Sequence, residues 1–112
     1  MAQPDAATVS DDRTGARRRV EVVVRGRVQG VGYRIFASRA AERHGIVGWV
    51  TNQAGGAVRA LGEGDQGDLE AWLGELRRGP VGGFVSDVDE RWSEAAGDLD
   101  DFEIRSGWHS GD

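Results

Sequence analysis

The chain has 112 residues, 38% hydrophobic and 29% charged, which suits one soluble globular domain with a modest core. It has no cysteine, which excludes disulfides, thiolate catalysis and thiolate-based metal sites, and its two histidines, His44 and His109, do not sit at metal-ligand spacing. The formal net charge of -5, from 14 Lys+Arg against 19 Asp+Glu, argues against a non-specific nucleic-acid binder, but not against a small anion held in a local pocket.

Residues 1–17 are polar and lack apolar periodicity, so they read as a disordered leader. The opening Met-Ala-Gln-Pro-Asp has neither the basic start nor the apolar stretch of a signal peptide, and no run is apolar for long enough to cross a bilayer. A cytoplasmic location is the expectation. The foldable domain is expected over 18–106, with 107–112 as a tail. Val20, Val22 and Val24 alternate along a first strand rich in β-branched residues. The following stretch, Arg25 to Gly32, is too glycine-rich for a regular element. Tyr33, Phe36, Ala37, Ala40 and His44 then recur at helical spacing, with Gly45 where a C-cap glycine belongs. Val47 to Thr51 and Ala57 to Gly62 form two strands of a hairpin around Asn52-Gln53-Ala54-Gly55-Gly56. Asp65, with Asp68 three residues on, is read as a cap for a second helix whose apolar stripe is Leu69, Trp72, Leu73 and Leu76, stopped by Gly79-Pro80. Phe84, Val85 and Val88 mark a fourth strand, Ser93 to Asp101 a polar loop, and Phe102 to Arg105 a short closing strand.

The order β-α-β-β-α-β, with room for an extra short strand, is the ferredoxin-like split βαβ pattern. It implies an α/β (α+β) sandwich, with a mostly antiparallel sheet and two helices on one face. Trp49, Trp72, Leu73 and Phe36 are the expected core residues. Whether Trp92 and Trp108 are buried is not decided by their positions. His44, near a helix C-terminus, is read as structural, and Asp98, Asp100 and Asp101 as a solvated loop without calcium-loop spacing.

The chemistry-bearing segment is Gly26-Arg-Val-Gln-Gly-Val-Gly-Tyr-Arg34. Glycines at 26, 30 and 32 strip side chains from a turn just before a helix, where successive N–H groups can converge on one anion. Arg34 in the first helical turn opposes the helix dipole, a conflict that a bound anion removes; its guanidinium can fork onto two phosphate or carboxylate oxygens. The segment is neither a Walker A loop nor a dinucleotide fingerprint. A purely structural turn and a surface arginine are the bland readings. Asn52 ends the second strand, and its bland reading is a turn former. Near the glycine turn, its amide would hold a water by one donor and one acceptor.

Together with Gly48-Trp-Val-Thr-Asn52, this segment closely resembles the two signature segments of the acylphosphatases, and Gly79-Pro80 and Gly97 to Arg105 fit as well. The likeness runs from about Val20 to Arg105. It implies the ferredoxin-like fold and hydrolysis of the carboxyl–phosphate bond of acyl phosphates, without cofactor or metal. Residue by residue, it implies that Arg34 is the phosphate-binding catalytic arginine and Asn52 the residue that positions the attacking water. The phosphate cradle would be Gln29, Gly30, Val31, Gly32 and Tyr33, through their backbone N–H groups. Tyr33 stands where phenylalanine is usual, and Phe84 where many members carry a basic or polar residue. The expected partner is a small-molecule acyl phosphate, with no nucleic acid and no membrane, and a monomer is expected. A non-catalytic anion-binding module on the same fold is one rival. An RNA-recognition domain is another, but Val22, Val23 and Val24 of the first strand and Ala57–Leu61 of the third lack the aromatics it needs, and the net charge is -5.

Overall fold

The computed structural model describes residues 17–106. The leader before Arg17, the tail 107–112, and with it Trp108 and His109, lie outside the described residues. Five strands and two helices follow in the order β1 (Arg18–Arg27), α1 (Tyr33–Arg43), β2 (Val47–Asn52), β3 (Val58–Gly64), α2 (Gln66–Arg78), β4 (Phe84–Glu94) and β5 (Phe102–Arg105). The sheet order is β4-β1-β3-β2-β5. All pairings are antiparallel except β2 with β5. This is the expected ferredoxin-like sandwich, with β5 added at one edge.

Strand alternation sorts the sheet into two faces. Val20, Val22 and Val24 of β1 pair with Gly62, Ala60 and Val58 of β3, which pair in turn with Gly48, Val50 and Asn52 of β2. All nine residues are buried beneath the helices. Helix α1 lies against β2 and β5, and α2 against β1, β3 and β4. The stripe Leu69, Trp72, Leu73 and Leu76 is buried as its spacing requires. Trp72 settles over the paired Gly62 of β3: a Cβ there would come within 2.5 Å of its ring. The indole N–H donates to the Ala37 carbonyl at 3.1 Å, and Phe102 meets the ring edge-on at 5.7 Å.

Four details differ from the sequence reading. Strand β1 continues through Arg27, because a bulge at Arg25/Gly26 leaves Ser86 of β4 as the extra residue and lets pairing resume. Strand β4 runs on to Glu94; its charged residues conceal it from an apolar-pattern search because it is an edge strand paired only with β1. Asp65 occupies the N-cap position, but its side chain makes no cap hydrogen bond. Trp49 points to the face opposite the helices, half-buried between Arg59 and Arg105, whose guanidinium carbons lie 5.4 and 5.0 Å from its ring centroid.

Two buried polar groups fasten the ends of the fold. At the end where β3 finishes, Glu63 is 1% exposed. It accepts hydrogen bonds from Arg19 at 2.7 Å and from the backbone N–H groups of Ala96 and Gly97 at 2.9 and 3.2 Å, so it pins the β4–β5 connection. Burial alone would raise its pKa. The Ala96 N–H, Arg19 and the Gly97 N–H outweigh that and hold it below its ordinary 4.5. At the opposite end, the buried Tyr33 hydroxyl donates to the Leu76 carbonyl at 2.7 Å. Leu76 is in the last turn of α2, where carbonyls lack intrahelical partners, so the start of α1 caps the end of α2.

Replacing Tyr33 by Phe should therefore lower stability by about 1–2 kcal/mol in urea unfolding, because the Leu76 carbonyl loses its buried donor. Glu63→Gln should cost about 2 kcal/mol at neutral pH through loss of charge-assisted bonds. The pH dependence follows from the lowered folded pKa. The unfolded chain takes up the proton first, so the stability due to Glu63 is complete above about 4.5 and is lost as pH falls through the folded value. Unfolding curves of the Gln variant should accordingly show a shallower acid limb than those of the wild type.

Candidate active site

The site begins where β1 ends. After the bulge, Val28 drops into the core and the chain turns through Gly30 and Gly32, with φ of 79° and 80°. That left-handed region is open to glycine at little cost, and a side chain at either position would strain the turn. Gly32 is the N-cap of α1; as a glycine it makes no side-chain cap hydrogen bond, and the first turn holds no acidic residue. Ser, Thr, Asp or Asn is preferred at this position, where the side chain satisfies one of the terminal N–H groups. Here Gly32, Tyr33 and Arg34, the residues that open the helix, line a cleft.

The turn is held from behind. The Gln29 amide donates to the carbonyls of Gln53 and Ala57 at 2.9 and 2.8 Å, which clips the turn to the β2–β3 hairpin. Val31 packs against the core on the side of Gly83. Tyr33 is anchored on Leu76. Burial pushes its phenol pKa up, so it stays neutral and has no role as a base.

A cleft of about 320 Å³ opens in front of this turn, lined by Val28, Gly30, Gly32, Tyr33, Arg34, Ile35, Asn52 and Ile104. Arg34 enters it from the first turn of α1, and its Nη1 donates to the Arg105 carbonyl of β5 at 2.9 Å. Asn52, the last residue of β2, is 9% exposed. The fold explains why residues 18 positions apart share one cleft. Val58 of β3 pairs with Val24 on one side and Asn52 on the other. Strands β1 and β2 are thus parallel to each other and end at the same edge of the sheet, two strand spacings or about 10 Å apart.

Of the residues expected at the site, Gly30, Gly32, Tyr33, Arg34 and Asn52 come together on the cleft wall. Gln29 and Val31 do not line it; their side chains support the turn from outside. Ile35, Ile104 and the Arg105 carbonyl were not expected there. Ile35 carried a signal, since it is apolar yet falls off the buried stripe Tyr33, Ala37, Ala40 and Ala41. Arg105 carried none, because its contribution is a backbone atom. Among the described residues, no three His, Asp or Glu side chains are grouped to hold a metal.

Comparison with known proteins agrees with the fold. The acylphosphatase family model matches residues 20–104. An acylphosphatase of Salinibacter ruber is 41% identical over 92 residues, covering 82% of this chain and 97% of the relative. One from Leuconostoc mesenteroides is 52% identical over 71 residues, covering 63% and 77%. The crystal structure of acylphosphatase from Bacillus subtilis superposes with a TM-score of 0.77 at 31% identity, covering 79% of this chain and 98% of that one. The chain belongs to the acylphosphatase family.

Proposed function

We propose that the cleft between the glycine turn and the end of β2 hydrolyses acyl phosphates to a carboxylate and inorganic phosphate, with Arg34 and Asn52 as the working side chains. Acylphosphatase activity follows from the family. The assignment of roles is supported by one observation above all: Arg34, Asn52 and an uncapped helix N-terminus line the same cleft.

The reaction makes modest demands. An acyl phosphate is a mixed anhydride, and its leaving group is a carboxylate, which departs without protonation. A water oxygen forms a bond to phosphorus while the bond from phosphorus to the acyl oxygen breaks. The water's proton passes to a phosphoryl oxygen. The protein has to hold the phosphoryl group and align the water in line with the leaving group. The N–H groups of the turn and the Arg34 guanidinium neutralise charge on the phosphoryl oxygens. The hydrogen bond to the Arg105 carbonyl tethers that guanidinium to β5. Asn52 holds the water through one donor and one acceptor, and the end of a paired strand fixes its backbone.

Steady-state hydrolysis of benzoyl phosphate tests the roles. Arg34→Ala should lose on the order of 2–4 kcal/mol of transition-state stabilisation and should weaken competitive inhibition by inorganic phosphate. Asn52→Ala should lower kcat while leaving phosphate inhibition nearly intact. Wild-type kcat/KM in the Arg34→Ala protein would overturn the assignment.

A further inference from the structure

Ile35 and Ile104 are 51% and 46% exposed, and both lie on the cleft. A lone exposed isoleucine needs no explanation. These two come from different elements and meet at one polar site. Ile35 directly follows Arg34 in α1. Ile104 precedes Arg105, whose carbonyl receives the Arg34 hydrogen bond, and it pairs with Val50, two residues before Asn52. Each isoleucine therefore stands beside one of the two proposed working residues.

The other apolar residues of the wall differ in depth. Val28 and Tyr33 are almost wholly buried and form its floor. The half-exposed isoleucines form its mouth. A phosphoryl group held on the glycine turn has its acyl substituent projecting outward, away from the turn, and the apolar surface available there is that of Ile35 and Ile104. Among the described residues, no carboxylate lines the cleft, and its charged side chain, Arg34, is the one assigned to the phosphoryl group.

We propose that Ile35 and Ile104 form the acyl subsite, covering the apolar part of the substrate and setting a preference for apolar or aromatic acyl groups over an acetyl group. This rests on the assignment of the cleft to acyl phosphate hydrolysis. Pockets of this kind use apolar contact for the body of a ligand and a few polar groups for its orientation. The lip is only half enclosed, so each isoleucine should contribute less than a fully buried contact does.

The test is the ratio of kcat/KM for benzoyl phosphate to that for acetyl phosphate, measured in the wild type, Ile35→Ser, Ile104→Ser and the double variant. Each single change should reduce the ratio about 3- to 10-fold, chiefly through KM for benzoyl phosphate. Ile35→Ala and Ile104→Val provide milder variants should a serine disturb folding, with smaller reductions expected. Inhibition by inorganic phosphate, which has no acyl chain, reports whether the cradle is intact. An unchanged ratio in a double variant that still turns over both substrates would overturn the acyl subsite and leave the hydrolytic site standing. A wild-type protein that hydrolyses neither substrate would overturn both.

Discussion

Val58 is the shared partner that makes one site out of two distant segments. It pairs with Val24 on one side and with Asn52 on the other, and the register on both sides follows from which residues are buried. A one-residue slip of β2 would turn Asn52 to the open face, and one of β1 would expose Val20, Val22 and Val24. The hydrophobic pattern of the sheet thus fixes the separation between the glycine turn and the asparagine. The separation between the two segments is a consequence of core packing.

The depth of that core depends on a second constraint, the absence of side chains beneath Trp72. With Gly62 under the indole, α2 lies close to the sheet, and the ring reaches both Ala37 of α1 and Phe102 of β5. Helix α1 is thereby held at β5, the strand whose Arg105 carbonyl orients Arg34. Added bulk at Gly62 would force the helix layer outward, and overpacking of this kind commonly costs about 1–3 kcal/mol. The shift would reach the cleft as well as the core.

Much of this was legible in the sequence, and the failures have physical reasons. Elements with one buried face and one wet face announced themselves: the valines of β1, and the Leu69, Trp72, Leu73 and Leu76 stripe of α2. Strand β4 was read short because an edge strand is held by its pairing and carries charges such as Asp87, Asp89 and Arg91 outward. Trp49 was misplaced because strand alternation gives a face only after the register is known; with Val50 under the helices, Trp49 has to lie on the other side. The nearness of Arg34 and Asn52 was implied by a family likeness alone, whereas strand pairing now accounts for it. The mouth of the cleft leaves little trace in the sequence, because its residues are apolar and exposed and carry no reactive group.

The start of α1 breaks the local rules of helix stability. It has a glycine cap without a side-chain acceptor, no acidic residue in its first turn, and an arginine where the dipole disfavours a cation. A helix left to itself would fray at such an end. The fold compensates from outside the cleft. Tyr33 is anchored on the α2 terminus, Gln29 is clipped to the β2–β3 hairpin, and Arg34 is tied to β5. All three anchors draw on tertiary structure and leave the first-turn N–H groups without a side-chain cap. An aspartate at position 32 would cap the helix by the usual means. It would also set a negative charge at the wall of the cleft, and it would require a side chain at a left-handed φ of 80°. The start of α1 is locally unstable, and the rest of the domain is built to hold it in place.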